Sequence, residues 1–130
     1  FDQHESDLRQ NTSFHFMHYE LVSNIVVNGE KTRLIDWEKA GFSDPAYVLA
    51  VLDTVGKLLP SQIGVLRKNL SYFSDNNFNN RYFFFRKLAL IINYLWLYEK
   101  IQVEKIQPAT SWTLESLETV LRREMSYASS

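Results

Sequence analysis

Residues 14 to 17, Phe-His-Phe-Met, begin a stretch whose apolar positions alternate as a half-buried strand requires, and Ile25-Val26-Val27 continues in the β-branched residues that strands favour. After VNGEKT the chain returns as Arg33-Leu34-Ile35-Asp36, so residues 24 to 36 read as a β-hairpin with Asn28-Gly29 as the turn signal. Two registers are open. A two-residue turn at Asn28-Gly29 sets Asn24 opposite Arg33 and leaves Asp36 overhanging by about 10 Å, at roughly 3.3 Å per residue. A five-residue loop over 28 to 32 instead pairs Asn24 with Asp36, with Cβ atoms about 5 Å apart.

From Asp44 the period becomes helical. Asp44 is expected to be an N-cap, with Pro45 at the first helical position, where its missing N–H costs nothing. The helix from about 46 to 59 is apolar on nearly every side, which places it at the centre of a domain. Ser61 is expected to cap a second helix that buries Ile63, Leu66, Leu70 and Phe73. The Asn-rich run at 75 to 80 reads as a loop. A third helix over 81 to 102 is expected to turn Leu88, Ile91, Ile92 and Leu95 inward, with Tyr82, Phe83, Phe84, Phe85 and Trp96 in the core. Pro108 breaks the chain, and Thr110 or Ser111 is expected to cap a last helix with Leu114, Leu117, Leu121 and Met125 on its buried stripe. Glu115, Glu118, Arg122, Arg123 and Glu124 read as its solvated face, with Glu118 and Arg122 one turn apart.

Composition narrows the function classes. With 130 residues, 45% of them hydrophobic, the chain has the size of one domain and enough apolar mass for a core. A formal net charge of -1 and the absence of any block of five or more like charges speak against nucleic acid or an anionic membrane as partner. The absence of cysteine excludes disulfides, thiolate metal sites and a Cys nucleophile, and fits a cytoplasmic setting. The most apolar run, Leu88 to Tyr98, contains Asn93 and is far shorter than the roughly 20 residues a bilayer-spanning helix needs. His4 and His15 have no zinc-like spacing with His18.

The chemistry-bearing residues cluster early: His18-Tyr19-Glu20-Leu21, then Asn24, then LIDWEKAGFSDPAYVLA over 34 to 50. This segment resembles the catalytic segment of the aminoglycoside phosphotransferase and choline kinase family, whose fold is protein-kinase-like. The family pattern is H-x-D-L-x-x-x-x-N, a strand, a turn, I-D-[WFL]-E, and often A-G-x-x-D-P. The resemblance covers residues 14 to 50. It implies an α+β, mostly α-helical chain: a kinase-like C-lobe in which a catalytic-loop β-hairpin is followed by about four helices, with no N-lobe. On that reading residues 1 to 130 form one domain, with the catalytic loop and metal-binding hairpin in 14 to 38 and the helical body in 45 to 127.

Phosphoryl transfer needs the γ-phosphate positioned, its charge neutralised by metal, and the acceptor hydroxyl oriented by a carboxylate. Mg²⁺ takes oxygen ligands and keeps several waters, so one carboxylate and one amide oxygen suffice once nucleotide phosphates complete the shell. By resemblance, Asn24 and Asp36 hold Mg²⁺, Glu20 stands at the catalytic carboxylate, and His18 supports the loop; Glu38, two residues after Asp36, either lies behind the metal ligands or pairs with a cation. ATP and Mg²⁺ are the implied cofactors, and the acceptor is a hydroxyl of an aminoglycoside-, choline- or sugar-like small molecule.

Three departures accompany the match. Glu20 replaces the family's aspartate, and a displacement of about an ångström can cost about a hundredfold in rate. Glu20 and Asn24 are one residue closer than the family pattern, and Val48 occupies a position where the family often has a second aspartate. The four glycines, at 29, 41, 56 and 64, form no phosphate-covering loop. The chain is therefore expected to be at most the larger lobe of such an enzyme, inactive alone, and either a piece of a longer protein or a natural remnant. The alternative is a pseudokinase or lone C-lobe acting as a binding module, meeting an N-lobe or self-associating through that face.

Overall fold

The computed structural model describes residues 14–18, 23–69 and 77–127. The chain divides into two compact units, Phe1–Arg86 and Lys87–Ser130. The described part is α+β and mostly helical, with two small antiparallel sheets and four α-helices.

In the first unit, β1 (His15–Met17) pairs antiparallel with β4 (Gly41–Ser43), and between them in sequence β2 (Ile25–Asn28) pairs with β3 (Lys31–Leu34). The β2–β3 register is neither of the two expected. Asn28 lies opposite Lys31, so Gly29 and Glu30 are the central turn residues. Gly29 has φ 60, the positive value that a type II′ turn demands at its first central position and that glycine meets without Cβ strain. The Asn-Gly signal marked the right place, but the turn sits one residue later. Asn24 consequently faces Ile35, whose N–H donates to the Asn24 carbonyl at 3.0 Å.

Helix α1 (Pro45–Thr54) starts as expected, with the Asp44 carboxylate accepting from the Ala46 N–H at 2.9 Å and Pro45 in the first turn. It stops at Thr54 rather than 59, as the chain passes through Gly56 and a left-handed Lys57. Ala46, Leu49 and Ala50 are fully buried against Phe78 and Tyr82, with Met17, Ile63, Leu66 and Phe85 packed around them. Each fully buried Leu or Phe contributes about 1.5–3 kcal/mol. Helix α2 (Pro60–Asn69) places Pro60 at its first position, and the Gln62 side chain accepts from the Leu59 N–H at 2.8 Å. Ser61 is therefore inside the first turn and is not the cap. Leu70 and Phe73 lie outside the described residues. Helix α3 (Phe78–Tyr98) starts inside the Asn-rich run expected to be a loop, because Phe78 is drawn to the core, where the Arg67 guanidinium covers its ring at 5.0 Å.

The second unit holds the remainder of α3, a π-helical turn at Glu99–Val103, and α4 (Leu114–Ser126). Its core is Leu90, Leu97 and Leu117, flanked by Tyr94, Ile101, Trp112, Leu114, Val120 and Leu121. The buried stripe of α3 is thus not the one expected: Ile91, Ile92, Leu95 and Trp96 are exposed, and Leu88 is half-buried. The sequence of α3 is apolar on two sides, and the side carrying Leu90 and Leu97 is the one that meets α4. On α4, Leu117 is buried, Leu114 and Leu121 are half-buried, and Met125 is exposed, beyond the packed stretch.

The cap of α4 is Thr113 rather than Thr110 or Ser111. Thr113 Oγ1 accepts from the Ser116 N–H at 3.1 Å while Ser116 Oγ accepts from the Thr113 N–H at 3.0 Å, a reciprocal capping box. Thr113→Ala is expected to cost about 1 kcal/mol in urea denaturation, and Thr113→Asp, which keeps an acceptor oxygen, only a few tenths. Glu118 and Arg122 form the expected exposed pair one turn apart.

Candidate functional site

The segment from His18 to Glu38 belongs to the first unit, and its anchor is His18. His18 leaves β1 buried, and its Nε2 donates to the Ile35 carbonyl at 2.7 Å, a bond spanning 17 residues of sequence. A carbonyl only accepts, so the bond fixes the proton on Nε2. Trp37 closes the other side: its indole Nε1 donates to the Leu34 carbonyl at 3.0 Å, its ring meets His18 edge-on at 5.0 Å, and it stacks on Phe16 at 6.4 Å. The carbonyls of both residues preceding Asp36 are therefore held by ring N–H donors.

Asp36 has φ 59 and ψ 63, a left-handed conformation that costs a non-glycine residue about 1–2 kcal/mol. In a continuing strand, successive side chains alternate faces, so the residue after Ile35 points away from the side Asn24 shares with Ile35. The left-handed turn interrupts that alternation at Asp36. The chain then enters a 3-10 turn over Trp37–Lys39. The Asp36 side chain caps nothing there and is exposed, as is Glu38. Asn24, half-buried, is the residue opposite Ile35 and so one register step from Asp36. The direct pairing of Asn24 with Asp36, one of the two registers open from the sequence, is replaced by this offset.

Glu20 lies outside the described residues. Among the described residues, no group of three or more His, Cys, Asp or Glu side chains converges as a metal site. The donors Asn24 and Asp36 are both oxygen ligands, which fits a hard cation and not zinc or a soft metal.

Two charged clusters escaped the sequence reading. Asp44, beyond capping α1, receives Arg81 Nε at 2.8 Å and Arg81 Nη2 at 3.5 Å, with both side chains buried. Asp53 receives the Tyr82 hydroxyl at 2.7 Å and Arg86 Nε at 2.6 Å. Burial, with the hydrogen bond and negative charge of Asp53 added, pushes the Tyr82 hydroxyl well above the usual tyrosine range. The available signal was a lone Asp inside an apolar helix and two Arg flanking Tyr-Phe-Phe-Phe; charges so placed need partners. Val48, in the position where the family pattern often carries aspartate, is buried as an ordinary core residue.

No protein-family model matches the sequence, no curated protein matches it, and no solved structure matches the fold.

Proposed function

We propose that the chain is the larger lobe of a small-molecule phosphotransferase, in which residues of the β2–β3 hairpin hold a Mg²⁺–nucleotide and a hydroxyl of an aminoglycoside-, choline- or sugar-like acceptor receives the γ-phosphate. The observation carrying the reading is Asp36: an exposed carboxylate with no cap to make, on a left-handed backbone held by His18 and Trp37 through the two preceding carbonyls. Strained non-glycine backbone persists where its surroundings over-determine it, and such places cluster at functional sites. Asp36 and Asn24 supply the metal's protein oxygens, and Glu38 stands behind them. His18 is a positioning residue that fixes the strand end from which Asp36 projects. Glu20 orients the acceptor hydroxyl. Mg²⁺ bound with ATP supplies neutralisation of the phosphate charge.

Mn²⁺, which takes the same oxygen ligands, makes the test direct because it broadens nearby amide resonances. Titrated into the labelled chain, it is expected to broaden the signals of residues 24 and 36 first. Asp36→Ala is expected to weaken that effect about tenfold or more, a loss of about 1.4 kcal/mol or more in binding. Broadening elsewhere, or an unchanged response in the variant, overturns the assignment. A second reading, a non-catalytic binding module, is favoured by the exposure of Phe16, Trp37 and Phe42 beside the same site. Under it Mg²⁺-ATP leaves the melting temperature of the chain unchanged.

A further inference from the structure

The β2–β3 sheet has two edges, and they differ in chemistry. Asn24 and Ile35 form a hydrogen-bonded pair, and such pairs alternate along an antiparallel ladder. Val26–Arg33 and Asn28–Lys31 are therefore the other bonded pairs, and Ile25 and Val27 point their N–H and C=O groups away from β3. No described residue occupies those groups. The strand is also bare on both faces, with Ile25, Val26 and Val27 exposed at 46%, 45% and 66%. The β3 edge is defended: it carries Lys31 and Arg33, and its Leu34 carbonyl is taken by Trp37.

We infer that β2 pairs antiparallel with β2 of a second copy of this chain, an interaction independent of the phosphotransfer reading. The stretch Asn24-Ile25-Val26-Val27-Asn28 is self-complementary about Val26. A two-fold axis there sets Ile25 against Val27 of the other copy, Val26 against its own equivalent, and Asn24 against Asn28. Ile25 and Val27 are the residues whose outward backbone groups no described residue takes, so this register satisfies donors and acceptors on both strands. The seam carries no charge, whereas pairing through β3 sets Lys31 and Arg33 against like charges. The product is a four-stranded sheet in the order β3, β2, β2, β3, whose seam on one face buries Ile25 and Val27 of both copies and on the other Val26 of both. The inference commits to a second copy rather than a foreign peptide because only the strand itself supplies this symmetry.

The test is sedimentation velocity on the full chain across a concentration series up to millimolar. A monomer–dimer equilibrium is expected. Val27→Lys, at a position exposed in the monomer, sets a charge at both symmetric ends of the seam and is expected to weaken the dimer about tenfold or more. Ile25→Pro removes an outward N–H without touching the β2–β3 bonds and is expected to do the same. Val27→Thr keeps the dimer, as does Leu95→Lys on the exposed side of α3. Circular dichroism checks that the variants keep the helical signal. A chain monomeric at every concentration overturns the inference, and so does a dimer that Leu95→Lys weakens while Val27→Lys and Ile25→Pro leave it intact.

Discussion

Replacing Arg81 with alanine is expected to lower the stability of the first unit by about 3–5 kcal/mol, the largest loss of any single charge-removing substitution among the described residues. The reason is the partner left behind. Asp44 is buried, accepts from the Ala46 N–H to start α1, and has Arg81 as its counter-ion at 2.8 Å. Without the guanidinium, a carboxylate stays in a nearly dry environment with one backbone N–H to satisfy it. The paired change Asp44→Ser with Arg81→Met keeps an N-cap oxygen and fills the volume with apolar atoms. It is expected to cost much less than Arg81→Ala alone. Urea denaturation followed by amide exchange in α1 reads both. A loss below about 1 kcal/mol for Arg81→Ala means the pair is not dry in solution.

Phe78→Ala is the second large effect, expected at about 3–5 kcal/mol. Phe78 is fully buried at the start of α3, stacked on Tyr82 at 6.2 Å and covered by Arg67. Its removal leaves a void beside Ala46, Leu49 and Ala50, where the two alanines have no side-chain length with which to fill it. Phe83→Ala, on a side chain that is 55% exposed five residues later, is expected to change stability by no more than about 0.5 kcal/mol. Thermal or urea melts of the two variants side by side check whether this aromatic run is divided as described. Equal losses refute the division.

Local signals were legible in the sequence, and signals that depend on a partner were not. Asp44-Pro45 announced α1 because a cap and a first-turn proline act within three residues of each other. The hairpin was legible as a hairpin, yet its register was not: Asn-Gly is a strong signal for a turn with both residues central, and here only Gly29 is, since a type II′ turn needs glycine first and accepts Glu30 second. The inward face of α3 was ambiguous for a different reason. Ile91, Ile92 and Leu95 make as good an apolar stripe as Leu90 and Leu97, and nothing local says which stripe meets α4. Within the candidate site, Asn24, Asp36 and His18 were singled out by their resemblance to the phosphotransferase pattern, not by composition or spacing alone. The left-handed backbone of Asp36 could not, because it is set by ring donors arriving from His18 and Trp37 rather than by the residue itself.

The pairing of β1 with β4 brings together the two ends of the excursion that contains β2 and β3. Such a clasp lets the tip of that excursion vary in length with little consequence for the helices that follow. Each doubling of a flexible loop adds only about 0.6 kcal/mol of closure entropy, and both entry and exit points are fixed independently of the tip. The Gly29-Glu30 corner is therefore a natural grafting point, where foreign segments can be displayed while α1 and its cap stay in place.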